Sequence, residues 1–211
     1  MHISDAEIMA KKGFNIFIEK PLTIPKINVS RLCEICKLKK LKTLVGYNMR
    51  FTHRFKSIIN ILKKYEHKQI KEVKISIETD FKKWRKNLNY KKSVSFNKSL
   101  GGGVINELSH EIDYLNLLFG IPKRVIVEDK TTNRYKELET HIDATFEYTK
   151  KYPTIEMNLN MTSSKISRYC KIYYDDLIII VDHINNSILI NNHRTKNIIT
   201  YSDNLNDSYV K

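Results

Sequence analysis

The segment Gly101-Gly102-Gly103-Val104-Ile105-Asn106-Glu107-Leu108-Ser109-His110-Glu111-Ile112-Asp113-Tyr114 gathers residue types that move protons. At about 100° per residue, Asn106, His110 and Asp113 fall on one polar stripe of a helix, with Glu107 at its edge. An imidazole with an acid or amide one turn away is held in a single tautomer, as proton transfer requires. Ile105, Leu108, Ile112, Leu115 and Phe119 form an apolar stripe that would face a core. The glycines ahead of the helix let a ligand or another chain segment approach the backbone closely. The same pattern also describes an amphipathic helix whose polar side simply meets water.

A second candidate is Glu19-Lys20-Pro21, which follows the apolar run Phe14–Ile18. If that run is a buried strand, Lys20 projects from its carboxyl end, where open α/β sheets bind ligands, and proline fixes the turn. Taken alone, a solvated surface lysine explains it equally well. Cys33 and Cys36 form a C-x-x-C inside a helical pattern with Val29 and Leu32, and no second pair completes a set of zinc ligands. These cysteines read as helix packing, with no metal site expected. Three cysteines form no closed disulfide framework, which points to a reducing compartment.

The elements that must position these groups change character along the chain. Ser4–Lys12 reads as a helix, Phe14–Ile18 as a buried strand, Pro25 to about Lys39 as a helix and Leu41–Gly46 as a strand, so the two strands should be parallel. A helix is expected over His53–Tyr65. From Glu72 the apolar period becomes two, through Val73, Ile75, Ile77, Thr79 and Phe81. Further strands are expected at Arg124–Glu128, Ile142–Tyr148, Thr154–Met161, Arg168–Tyr174, Leu177–Asp182 and Ser187–Ile190, with a hairpin turn at Asn185-Asn186. The expected fold class is α/β then α+β. A partial parallel unit over residues 1–46 precedes a mainly antiparallel open β-sheet domain over residues 47–211, with one long inserted helix at about 104–119.

Phe17-Ile18-Glu19-Lys20-Pro21-Leu22 resembles the E-K-P turn of the Gfo/Idh/MocA oxidoreductases. Val45-Gly46-Tyr47-Asn48-Met49-Arg50-Phe51 is similar to their crossing between domains, and the 101–113 segment resembles their G-G…H…D helix. Trp84-Arg85 followed by Tyr90-Lys91-Lys92-Ser93 resembles the substrate-side loop of members acting on nucleotide sugars or other carbohydrates. The resemblance spans nearly the whole chain. It implies a Rossmann-type first unit and hydride transfer between NAD or NADP and a hydroxyl or keto carbon of a sugar or nucleotide sugar. On this resemblance Lys20 polarises the substrate oxygen and His110 takes or returns its proton. Glu107 stands in for the family's aspartate, which lies four residues before the histidine, where this chain has Asn106. Glu19, Lys20 and Pro21 would meet the cofactor. Tyr47, Asn48, Arg50, Trp84, Arg85, Asn106 and Asp113 would line the sugar.

The six glycines, at 13, 46, 101–103 and 120, make no G-x-G-x-x-G. The resemblance begins near the family's fourth-strand loop and lacks its last long helix. The expectation is therefore a truncated or split product, incomplete as an enzyme and doubtful as a dinucleotide binder. The alternative is a non-catalytic subunit pairing through its sheet, as a homo-oligomer or with a full-length homologue. An apolar fraction of 41% suffices for a core, and no apolar run reaches the roughly 18 residues of a membrane span, so a cytoplasmic location without a membrane partner is expected. The net charge of +14 invites a nucleic-acid reading, but the lysines are spread along the chain without a block or a binding signature.

Overall fold

The computed structural model describes residues 2–22, 28–83, 93–135, 137–149 and 152–202. Pro25, Trp84, Arg85 and Tyr90–Lys92 lie outside them. The chain divides into two units, Met1–Tyr47 and Asn48–Lys211.

The first unit has helices α1 (His2–Lys11) and α2 (Ser30–Leu38) and strands β1 (Ile16–Ile18) and β2 (Thr43–Val45). The strands pair in parallel, Ile16 opposite Thr43 and Ile18 opposite Val45, as the alternation of helix and strand requires. Ile3, Ala6 and Ala10 of α1 and Leu32 and Cys36 of α2 close over Ile18. The expectation of a buried β1 is corrected here: Phe17 is 56% exposed and Leu44 45%. Successive strand side chains point to opposite faces, and the described helices cover the face that holds Ile18.

The second unit opens with a 3-10 turn, Asn48–Phe51, and helix α3 (His53–Lys64). Thr52 caps α3, its hydroxyl accepting the Phe55 N–H at 3.2 Å. An eight-stranded sheet follows in the order β10-β9-β8-β7-β3-β6-β5-β4. Its strands are β3 (Glu72–Asp80), β4 (Arg124–Asp129), β5 (His141–Glu147), β6 (Ile155–Asn160), β7 (Thr162–Tyr173), β8 (Leu177–Asp182), β9 (Ser187–Asn192) and β10 (Lys196–Thr200). The turn before β9 places Asn186 at a φ of 48°, a conformation asparagine tolerates.

The period-two pattern sets one face of this sheet. Ala144, Met157, Ile75, Cys170, Val181 and Ile188 lie in register across β5, β6, β3, β7, β8 and β9, and all are buried. Phe55 and Ile58 of α3 and Leu115 and Phe119 join the same core. The sheet is mostly antiparallel, but β3 runs parallel to β6, so it is mixed. Two strand expectations fall short. β7 begins at Thr162 rather than Arg168, and β10 has no counterpart in the sequence reading. Their residues, Thr-Ser-Ser-Lys-Ile-Ser and Lys-Asn-Ile-Ile-Thr, are polar and largely exposed, so ladder hydrogen bonds hold them without an alternating apolar signature.

The expected single helix at 104–119 is two, α4 (Val104–Glu107) and α5 (Ser109–Phe119), broken at Leu108 with φ −102° and ψ 28°. The Val104 N–H donates to the Glu139 carbonyl at 2.9 Å, which fixes the first turn. The side chain of Glu111, 0% exposed, fixes the second by accepting from Arg168 Nε at 2.8 Å and Nη2 at 3.2 Å. The one-residue break reconciles these anchors and rephases the buried stripe to Glu111, Tyr114, Leu115 and Phe119.

Removing one partner of a buried pair strands the other charge, whereas an apolar pair of similar size removes both. Glu111→Ala should cost about 3–5 kcal/mol in urea unfolding. Glu111→Met combined with Arg168→Met should recover most of that loss. A double variant as unstable as the single one would show that the charges themselves hold α5.

Candidate functional site

In the second unit the polar stripe is pinned from two sides. Arg50, in the 3-10 turn, donates from Nε to Asp113 Oδ2 at 2.7 Å and from Nη2 to Asp113 Oδ1. This fork-on-fork geometry fixes both the turn and the helix. On the other side of α5, Glu111 grips Arg168 of β7, and Arg168 Nη2 also lies 3.3 Å from Met49 Sδ. His110 sits between them, about 60° from Asp113 and about 100° from Glu111 around the helix axis. Its neighbours therefore leave α5 little freedom to roll.

The start of α4 is shaped by the glycine turn. Gly103 has a φ of 118°, and the Asn106 side-chain amide donates to the Gly101 carbonyl at 3.0 Å. At Gly102 an added Cβ would lie 2.5 Å from the Val94 carbonyl oxygen and 2.6 Å from that of Ser95. Here glycine is required by the close approach of another backbone segment.

Behind His110 lies a buried group of titratable side chains. Both ring nitrogens of His183 are buried without a hydrogen-bond partner among the described residues, as is the Tyr114 hydroxyl. The two rings lie 5.5 Å apart. Burial holds the His183 imidazole well below its ordinary value, and the charges of Arg168 and Arg54 add to the effect. Burial also pushes the Cys170 thiol up to about 12 and the Tyr114 hydroxyl well above its usual range. For Arg168, burial lowers the pKa, but the Glu111 carboxylate outweighs it and keeps the guanidinium charged.

Of the residues singled out in the sequence, Asn106, Glu107 and His110 are half-buried on α4 and α5, and Asn48 is buried at the start of the 3-10 turn. Asp113 is 8% exposed with both oxygens engaged by Arg50. In the first unit, Glu19, Lys20 and Pro21 follow β1 directly, Lys20 and Pro21 half-buried and Glu19 exposed, and Tyr47 follows β2. Trp84 and Arg85 lie outside the described residues. Cys33 is exposed and Cys36 buried, and no described group of His, Cys, Asp and Glu is placed to hold a metal. The sequence reading missed Glu111, Arg168 and His183. Glu111 adjoins His110, but nothing local marks a partner 57 residues away.

No protein-family model and no curated protein sequence matches the chain. Solved structures match its fold. An inositol dehydrogenase homolog complexed with NAD+ from Azotobacter vinelandii superposes with a TM-score of 0.80 at 13% identity, over 94% of this chain and 54% of that one. A levoglucosan dehydrogenase gives 0.79 at 15%, over 95% and 58%. A UDP-N-acetylglucosamine 3-dehydrogenase from Acidithiobacillus ferrooxidans gives 0.74 at 18%, over 96% and 61%. The chain thus spans 54% to 61% of the length of these neighbours. Its fold, a small parallel sheet followed by a large, mostly antiparallel one, agrees with the Gfo/Idh/MocA resemblance.

Two outcomes follow. Gly102→Ala forces a methyl group onto two carbonyls and should cost about 1–3 kcal/mol, read as a lowered midpoint in urea. His183 has a folded pKa below its unfolded value of 6.5, so its contribution is complete above that pH and is lost as pH falls. Urea titrations of the wild type and His183→Phe should diverge below about pH 6.5, with roughly 1.4 kcal/mol of extra acid loss in the wild type at about pH 5.5. Parallel pH profiles would mean that His183 keeps its ordinary value.

Proposed function

We propose that this chain supplies the substrate-binding and proton-transfer part of an oxidoreductase acting on a hydroxyl or keto carbon of a sugar or nucleotide sugar. The observation that carries the reading is the double clamp on α5, with Arg50 on Asp113 and Arg168 on Glu111 on either side of His110. A general base works only when its orientation is fixed against the proton it removes, and the clamp supplies that fixation. His110 takes the proton from the reacting hydroxyl, or returns it in the reverse direction. Lys20 donates a hydrogen bond to the same oxygen, and Glu107 supports the proton's exchange. Asp113 acts through Arg50, while Tyr47, Asn48, Trp84, Arg85 and Asn106 contact the sugar. NAD or NADP is the hydride partner this reading requires, with Glu19, Lys20 and Pro21 beside it.

A dinucleotide is held chiefly by amides at a helix N-terminus after a glycine turn that leaves a strand. In the described first unit, β1 is followed by Glu19-Lys20-Pro21 and β2 by Gly46-Tyr47 and the 3-10 turn Asn48–Phe51, and neither segment carries a G-x-G-x-x-G. These residues do not fit the pyrophosphate. A second reading, a subunit pairing with another copy or with a full-length homologue, is favoured by edge strand β4. All six of its residues are exposed, including Val125 at 46%, Ile126 at 42% and Val127 at 50%. Sedimentation of the chain, alone and as Ile126→Lys, reads this directly.

The chain by itself should release no heat when titrated with NADH or NADPH to about 1 mM, a concentration that 4.1 kcal/mol of binding would half-saturate. Joined to a dinucleotide-binding half, it should oxidise a sugar or nucleotide sugar, followed at the nicotinamide absorbance band. Turnover should fall by about 10²–10⁴ in His110→Ala, the usual worth of a general base. A restored enzyme indifferent to both His110→Ala and Lys20→Ala would place the chemistry elsewhere.

A further inference from the structure

The loop ahead of the glycine turn and the loop between β4 and β5 enclose a polar hollow of about 510 Å³. That volume lies within the range of small-molecule sites. Lys98 and Arg134 stand on its wall, and neither forms an ion pair with a carboxylate of a described residue. By contrast Arg50, Lys68, Lys71, Lys74 and Lys130 each have one. The Arg134 guanidinium lies 5.6 Å over the Tyr135 ring, which limits its swing. Lys98, whose charge also acts on Asp129, and Arg134, seated on an aromatic ring, bring two cations to one hollow and favour an anion from solution.

The rest of the wall is built for hydroxyl groups. The carboxylate of Glu137 and the hydroxyl of Ser99 line the hollow, and carboxylates and hydroxyls are acceptors for sugar hydroxyls. Tyr135 stands edge-on to Phe81 and Phe96, at 5.9 and 5.7 Å, while those two rings stack at 5.0 Å. The wall is also pre-set. Asn97 Oδ1 accepts from the Ser99 N–H at 3.0 Å and the Ser99 hydroxyl at 2.7 Å. The Asn97 carbonyl accepts from the Gly102 N–H at 2.9 Å, which ties this loop to the turn that opens α4.

We propose that this hollow binds the phosphate ester of a sugar. Lys98 and Arg134 take the phosphate oxygens, and Glu137 and Ser99 the hydroxyls. The inference rests on the sugar-substrate reading for its place in a reaction, but its binding chemistry stands apart from hydride transfer. It narrows the substrate to one that carries an anion.

The test is calorimetric titration of the whole chain with glucose 1-phosphate, UDP, inorganic phosphate and glucose at one fixed ionic strength. Glucose 1-phosphate or UDP should bind at least tenfold more tightly than inorganic phosphate, and glucose should give no heat. The tighter of the first two identifies the source, a free sugar phosphate or a nucleotide-linked one. Lys98→Ala with Arg134→Ala should weaken that ligand at least tenfold without moving the melting temperature, because both side chains are exposed. Lys56→Ala with Lys196→Ala removes the same charge elsewhere and should leave the affinity unchanged. Equal losses in the two double variants would reduce the effect to attraction by the chain's net charge of +14 and overturn the site. Equal affinity for inorganic phosphate and both esters, or no binding at all, would overturn it too. Selective binding beside an inactive fusion enzyme would sink the hydride-transfer reading alone. Turnover of neutral sugars without such binding would sink this site alone.

Discussion

Arg168 occupies a position where the sheet otherwise buries aliphatic side chains. It lies opposite Ile77 in the β3–β7 ladder, on the same face as Cys170 and Ile172. A guanidinium there is tolerable only if an anion meets it, because transferring an isolated charge out of water costs several kcal/mol. Glu111, 0% exposed, is that anion, and it comes from the helix laid over the sheet. The Glu111 charge, wholly out of water, would be prohibitive without Arg168, whose own side chain stays 28% exposed. The pair therefore specifies how α5 lies on β7 more sharply than the surrounding apolar contacts could, since these tolerate sliding and rotation.

Much of the second unit's arrangement follows from that constraint. With Glu111 turned into the sheet, His110 and Asp113 are carried toward the 3-10 turn, where Arg50 grips Asp113. The same orientation sets Tyr114 against His183 and buries imidazole, phenol and thiol groups behind the helix. α4 answers to a different anchor, the Glu139 carbonyl, and the break at Leu108 is where the two requirements meet. The glycine turn is the other fixed point. Gly102 leaves room for the Val94 and Ser95 carbonyls, so the loop that walls the polar hollow and the start of the polar stripe are tied together.

The two units differ in how self-sufficient they are. The second closes a large core between helices and sheet, while the first exposes Phe14, Phe17 and Leu38 at 57%, 56% and 83%. Two short parallel strands with helices over one face leave the other face bare, a consequence of strand geometry that no local substitution would change.

Local pattern in the sequence was enough to determine the elements with strong periodicity or a chemical punctuation mark. The period-two run from Val73 gave β3, Leu177–Asp182 gave β8 to the residue, and the helix expected over His53–Tyr65 is α3. Asn185-Asn186 marked its turn, while Asn106, His110 and Asp113 share one stripe of a helical wheel that the break at Leu108 divides between α4 and α5. What stayed illegible depended on residues far apart in the chain. β10 and the first half of β7 are polar strands held by neighbours' backbones, and the parallel β3–β6 pairing follows from topology. The Glu111–Arg168 pair joins residues 57 positions apart, and Arg50–Asp113 joins residues 63 apart. Periodicity records which face of an element is apolar. Which charge that face will meet is decided only when a second element arrives, because an ion pair between distant residues leaves no mark on the spacing of either.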